Sequence, residues 1–289
     1  MKLATFSFGG RRSVGVVRED GIVDLGLGGA MEALLAEGAE GMARARGAAA
    51  NGPAITLAEV ELHAPVTRPT KFLAIAANYQ SHIDEVLANN PAYVPPTSQR
   101  WFTKLPSCIN GPYDPILMPP EGQELDYEAE LAIVIGRRCR RVSERDAASV
   151  IAGFTVCNDV SVRDWQRRSP TIMLGKSFDT HGPLGPWLVT PDEVGDPHAL
   201  RITCTVNGQT RQDGSTSEMI DNCYAQIAYL STVCTLEPGD VIATGTPFGT
   251  GAAMKPPGLL QPGDVVRCEV ERVGAIEATV QAETVAAQP

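Results

Sequence analysis

The feature that most constrains this chain is a run in which acids alternate and then give way to aliphatics, Glu124-Leu125-Asp126-Tyr127-Glu128-Ala129-Glu130 followed by Leu131-Ala132-Ile133-Val134-Ile135-Gly136. In a strand, alternate side chains share one face, so Glu124, Asp126, Glu128 and Glu130 would line up together. The apolar run that follows reads as the same strand entering a core. Carboxylates on one face repel each other unless solvent or a cation relieves them. Two residues along a strand are separated by roughly 6.6–6.8 Å, which lets Glu128 and Glu130 converge on one ion. An ordinary solvated strand face would also fit this segment alone.

A third acid extends the pattern. Asp159 follows the apolar stretch 151–157, a strand that could pair beside residues 128–136 and bring Asp159 to the same edge. Three carboxylates without well-spaced His or Cys suit a hard, oxygen-seeking ion, Mg²⁺ or Mn²⁺, rather than zinc. Such a site keeps excess negative charge, and Lys176 is the candidate to balance it. Gly175-Lys176-Ser177 is not a phosphate loop, because Pro170 stands where that motif needs glycine and no clear helix follows. The glycine-rich segment 245–251 follows a strand, but the paired prolines after it exclude a phosphate-binding helix. It reads as a backbone loop over a ligand, or as a tight turn.

Ser81 and Asp84 have the spacing of a capping box, predicting a helix from Ser81 to about residue 88. His82 and Glu85, three apart, share a face of that helix. A carboxylate orienting an imidazole makes a general base for water; an exposed surface pair is the alternative. Residues 89–100 carry three prolines and read as a lid or binding loop. His63 and His198 read as loop residues, and His181 is not expected to be a ligand.

At 289 residues the chain has room for about two domains, or a large one with an attachment. Gly 28 and Pro 22 point to many short strands and loops rather than a helical bundle. The first 25 residues read as a three-stranded meander, residues 30–50 as a short surface helix and then a flexible stretch. A join near residue 66 would separate a small N-terminal domain, 1–65, from a larger domain, 66–289. Strands are expected near 71–76, 128–136, 150–157, 186–190, 200–207, 240–244 and 264–271, and helices near 144–149, 162–167 and 217–232.

The net charge of −10 argues against nucleic acid and anionic membranes as partners, since like charges repel. An anionic substrate would have to meet local positive charge. The longest fully aliphatic stretch, 131–135, is far too short to span a bilayer. No secretory signal is visible, and the seven cysteines form no C-x-x-C pair. Reduced thiols in the cytoplasm are expected.

Taken together, Asn78-Tyr79-Gln80-Ser81-His82, Asp126-Tyr127-Glu128-Ala129-Glu130-Leu131, Cys157-Asn158-Asp159 through Arg163-Asp164-Trp165-Gln166, Gly175-Lys176-Ser177-Phe178-Asp179-Thr180, Gly182-Pro183-Leu184-Gly185-Pro186-Trp187 and the 245–251 loop resemble the fumarylacetoacetate hydrolase superfamily over about residues 65–283. The resemblance implies a β-rich mixed α+β fold, a sandwich-like roll or barrel with a small N-terminal α+β domain, assembled as a homodimer. It implies Glu128, Glu130 and Asp159 as ligands of one Mg²⁺ or Mn²⁺ per subunit, and Lys176 beside the metal. It implies His82 and Glu85 as the water-activating pair, and Arg163, Gln166, Tyr79 and Thr246 as substrate-binding positions. Two departures stand out: Ala74-Ile75-Ala76-Ala77 where the family usually has glycines, and a long 89–100 segment.

The expected activity is metal-dependent hydrolysis of a carbon–carbon bond in a 2,4-dioxo acid of the acylpyruvate or fumarylpyruvate type, through a pyruvate enolate. The alternatives are an oxaloacetate decarboxylase or a 2-hydroxyhepta-2,4-dienedioate-type isomerase on the same site, because fold membership leaves reaction type open. A catalytically silent metal- or ligand-binding β-module is the non-enzyme reading; it would need neither Lys176 nor the His82–Glu85 pair.

Overall fold

The computed structural model describes residues 1–284. The aliphatic run becomes the strand Ala129–Ile135, buried at every position. It pairs antiparallel with Ile151–Asn158 on one side and with Val241–Ala243 on the other. Both of its faces are apolar because both are covered. Leu131, Ile133 and Ile135 point into the main core, whereas Ala132 and Val134 point into a second cluster behind the sheet.

These strands are the centre of an eleven-stranded sheet, and a five-stranded sheet packs over the main core. The smaller sheet runs in the order Gln209–Ser215, Arg201–Val206, Val265–Val270, Gly274–Ala282 and Ile116–Met118. The fold is therefore the β-rich α+β arrangement that the sequence predicts, with two sheets enclosing one core. The expected N-terminal meander forms as Lys2–Phe8, Arg11–Arg18 and Gly21–Asp24. Lys2–Phe8 pairs with Gly182–Val189, so the hydrogen-bonded sheet continues across the position near residue 66.

Several elements differ from expectation. Residues Gly38–Asn51 form a 14-residue helix, not a flexible stretch. Their alanines and arginines are strong helix formers, and Ala45 is buried in the second cluster. The helix expected from Ser81 begins one residue earlier, Gln80–Asn89, and the Ser81/Asp84 capping box does not form. Ser81 Oγ is buried without a partner, and Asp84 accepts from Gln80 Nε2 at 2.8 Å instead. The expected loop ends in a strand, Arg100–Lys104, at the edge of the large sheet. Prolines at 91, 95 and 96 masked the β-propensity of Trp101-Phe102-Thr103. The helix expected near 217–232 forms as Cys223–Val233, started by Asn222, whose side-chain oxygen accepts the N–H groups of Tyr224 and Ala225. Among the described residues no helix is long and apolar enough to cross a membrane, and the seven cysteines are free.

Candidate active site

Strand pairing assembles the acids. The register that places Ala129 opposite Asn158 and Glu130 opposite Cys157 brings Asp159 to the end of the strand that starts beside Glu128. Asp159 N–H donates to the Glu128 carbonyl at 2.9 Å, and Asn158 Oδ1 accepts the Glu128 N–H at 3.0 Å. Ligand atoms of Glu128, Glu130 and Asp159 lie within 4.8 Å of one another, and all three residues are buried.

The cations around them are equally fixed. Lys176 Nζ, almost fully buried, donates to Glu128 Oε2 at 2.7 Å and to Asp159 Oδ2 at 2.6 Å. Its ammonium also stands 5.3 Å from the centre of the Phe102 ring. Lys104, fully buried, donates to Asp159 Oδ1 at 2.7 Å and to the Lys176 carbonyl. Arg163 Nη2 bonds Asp126 Oδ2 at 2.8 Å and Glu128 Oε1 at 2.7 Å, and its Nη1 donates to Gln166 Oε1 at 2.9 Å. The Asp126 carboxylate also accepts the N–H groups of Gly251 and Ala252, which pins the glycine-rich loop.

This cluster holds four carboxylates, counting Asp126, against the three cations Lys104, Arg163 and Lys176. One negative charge is in excess, and it falls on Glu130. Burial and then the neighbouring Asp159 and Glu128 push the Glu130 carboxyl well above the usual carboxylate range, against Lys176 and the Gly245 N–H. Burial would raise Glu128 too, but Lys176, Arg163 and His82 outweigh it and hold it low. A cation would keep Glu130 ionised, and three buried oxygen donors suit a hard divalent ion. The residues present therefore fit Mg²⁺ or Mn²⁺. With such an ion the cluster carries one excess positive charge, complementary to an anion.

A small pocket of about 70 Å³ opens beside the cluster, lined by Glu128, Glu130, Lys176, Phe102, Thr246 and His82 among others. It leads into a cleft of about 670 Å³. His82, Arg163 and Gln166 line both. His82 Nδ1 is 3.2 Å from Glu85 Oε2, and Glu85 Oε1 accepts the Gly249 N–H at 2.8 Å. The helix is thus tied to the glycine-rich loop through the same carboxylate that orients the imidazole. Asn89 Nδ2 adds a second tie, to the Ala253 carbonyl.

The structure brings together most of the residues singled out in the sequence. Thr246 lines the small pocket, its Oγ1 donating to the Ala129 carbonyl and accepting from Gln212 Nε2. Tyr79 is the exception: it is fully buried, its hydroxyl unpartnered, and it lines neither cavity. It sits just before the helix, where its ring packs inward while His82, three residues on, faces the cleft. His181 is buried away from the acids, with Nε2 2.8 Å from the Leu117 carbonyl. Lys104 is the residue that sequence reasoning missed; its signal was alternation with Phe102 in a strand hidden behind prolines. Ala77 lines both cavities with φ of 57°. That left-handed backbone is one that a glycine adopts more readily than an alanine.

Comparison with known proteins places these features in a wider set. Residues 71–281 match the family described as fumarylacetoacetate (FAA) hydrolase, C-terminal. The mitochondrial oxaloacetate tautomerase FAHD2A of Homo sapiens is 47% identical over 233 residues, covering 80% of this chain and 73% of that protein. The fumarylacetoacetate hydrolase domain-containing protein 2 homolog of Dictyostelium discoideum is 43% identical, covering 78% and 76%. Among solved structures, maleylpyruvate hydrolase from Sphingobium sp. SYK-6, in complex with manganese(II) and pyruvate, superposes with a TM-score of 0.82 at 34% identity, covering 98% of this chain and all of that one.

Proposed function

This chain belongs to the fumarylacetoacetate hydrolase family and is an enzyme of it, and from that premise we propose that it acts on the enol chemistry of oxaloacetate or a close 2-oxo acid. The observation that carries this is the acidic triad with Lys176 at the closed end of a cleft whose wall presents His82. Relatives near 47% identity that bear the name oxaloacetate tautomerase support it over the hydrolase expected first.

In this reading Glu128, Glu130 and Asp159 hold one Mg²⁺ or Mn²⁺. Once bound, the ion supplies Lewis-acid polarisation of the 2-oxo group. Lys176 keeps a fixed positive charge beside the oxygen that becomes negative as a carbon-bound proton leaves. His82, held by Glu85, takes that proton from carbon and delivers a proton to the enolate oxygen, and the reverse transfer regenerates the keto form. Arg163 and Gln166, braced against each other, offer donors to the substrate from the cleft wall, and Thr246 borders the substrate in the small pocket. Tyr79 shapes the wall from behind.

A second reading rests on the same His82–Glu85 pair. With water in place of the carbon-bound proton, the imidazole would serve hydrolysis of a 2,4-dioxo acid, and the maleylpyruvate hydrolase neighbour supports this. Under either reading, residues 1–65 are a small N-terminal unit on the 66–289 domain. The free cysteines suit a reducing compartment such as the cytoplasm, and the assembly is a homodimer. Exposed Tyr229 and Val233 beside the edge strand Arg100–Lys104 support the last.

The test measures three reactions on Mn²⁺-loaded protein: oxaloacetate keto–enol exchange, oxaloacetate decarboxylation and acylpyruvate cleavage. Accelerated exchange is expected to dominate. His82→Ala should slow exchange by about 10²–10⁴-fold, the usual contribution of a positioned acid–base group. Decarboxylation, which needs no base, should fall much less. No acceleration of exchange beside efficient acylpyruvate cleavage would establish the second reading instead.

A further inference from the structure

The cations around the cleft are not equivalent. Lys176 is bound to Glu128 and Asp159, Arg163 to Asp126, Glu128 and Gln166, and Arg167 to Glu124 at 2.7 Å. Arg100 also lines the cleft, is exposed, and makes no side-chain hydrogen bond or ion pair among the described residues. Asp221 shares an adjoining side pocket of about 210 Å³ with Arg100 without pairing with it. The Arg100 guanidinium is therefore uncommitted, in a protein whose overall charge is −10.

Its position is set by the sheet. Arg100 opens the edge strand Arg100–Lys104, in register with Ala76, while Lys104 pairs with Phe72. Alternate residues of a strand share a face, so Arg100, Phe102 and Lys104 lie in one row. Lys104 ends the row at Asp159, Phe102 lines the small pocket, and Arg100 stands in the open cleft. Four residues of strand place the Arg100 and Lys104 backbones roughly 13 Å apart, and the long Arg100 side chain reaches back over part of that length. A ligand whose 2-oxo-acid end lies at the triad would extend its other end along this row toward a free guanidinium.

We propose that Arg100 receives the far carboxylate of a dicarboxylic 2-oxo acid and so makes the site selective for dicarboxylates over monocarboxylates of the same chain length. This rests on the 2-oxo-acid reading above and deepens it by naming the substrate class. A planar guanidinium suits a carboxylate, which it can bind through two parallel hydrogen bonds.

The experiment is calorimetric titration of the full-length, Mn²⁺-loaded protein with a matched pair, 2-oxoadipate and 2-oxohexanoate. The wild type should bind the dicarboxylate about 10–100-fold more tightly, the range of a charge-assisted hydrogen bond. In Arg100→Gln that ratio should fall to near unity, with affinity for 2-oxohexanoate and for Mn²⁺ unchanged; Arg100→Lys should keep part of it. An unchanged ratio in Arg100→Gln, while both acids still bind, overturns the role of Arg100 and leaves the 2-oxo-acid reading standing. Binding of neither acid to the wild type overturns that reading and the selectivity with it.

Discussion

The closed and open ends of the cleft are built on opposite terms. At the closed end Lys104, Glu128, Glu130, Asp159 and Lys176 are buried, and each except Glu130 is in a direct ion pair. At the open end the helix Gln80–Asn89 and the strand entry at Arg100 are partly exposed and held by few bonds. Buried charges tolerate no loss of a partner, because the group left behind is desolvated and unpaired. Exposed ones do. The closed end can therefore hardly vary without loss of the fold, whereas the open end can change its residues and with them the ligand.

Lys176→Met puts the greatest strain on this contrast. Removal of the ammonium leaves Glu128 and Asp159 facing each other in the interior, so stability should fall by about 3–5 kcal/mol. Catalysis should fall with it by about 10²-fold or more, as for loss of a group that stabilises developing negative charge. Added Mn²⁺ should restore much of the melting temperature and little of the turnover. A variant that melts like the wild type without metal would contradict the account of the closed end.

Glu85→Ala probes the middle of the cleft. It removes the acceptor of the Gly249 N–H and the partner of His82. Stability should drop by about 1–2 kcal/mol, and exchange should slow by about an order of magnitude through the misoriented imidazole. Mn²⁺ affinity should not change, since Glu85 is not in the triad; a weakened metal site in this variant would show that the two ends are coupled.

The last effect, on stability alone, concerns a buried group that lacks a carboxylate. Burial, opposed by the Leu117 carbonyl, brings His181 down to about 3. As pH falls below about 6.5 the unfolded chain takes up a proton that folded His181 refuses, so stability is lost from there toward pH 3. Urea unfolding at pH 7 and pH 5 should register about 2 kcal/mol of this, and His181→Gln should remove it. An identical pH dependence in both proteins would mean that His181 is protonated in the fold.

Much of the site was legible in the sequence because its chemistry sits on short, regular segments. Period-two spacing put Glu128 and Glu130 on one face, and the apolar strand before Asp159 gave it an address. His82 and Glu85 needed only helical spacing, which survived even though the helix starts at Gln80 without the expected cap. Lys104 and Arg100 were not legible, because their strand follows a proline-rich loop and pairs with Ala76 and Phe72, a partnership that local sequence does not encode.

Which groups could bind a hard cation, and where the aliphatic strands of the core run, followed from side-chain type and period, both local properties of the chain. Which of the four alternating acids face the site did not; that is a matter of folding. Glu128 and Glu130 meet Asp159, whereas Asp126 turns to Arg163 and the Gly251 loop, and Glu124 pairs with Arg167 at the surface. The break between the strand Leu125–Asp126 and the strand Ala129–Ile135 separates them. Only long-range pairing, with Ser161–Val162 for the first and Ile151–Asn158 for the second, sets where that break falls and which carboxylates it leaves together.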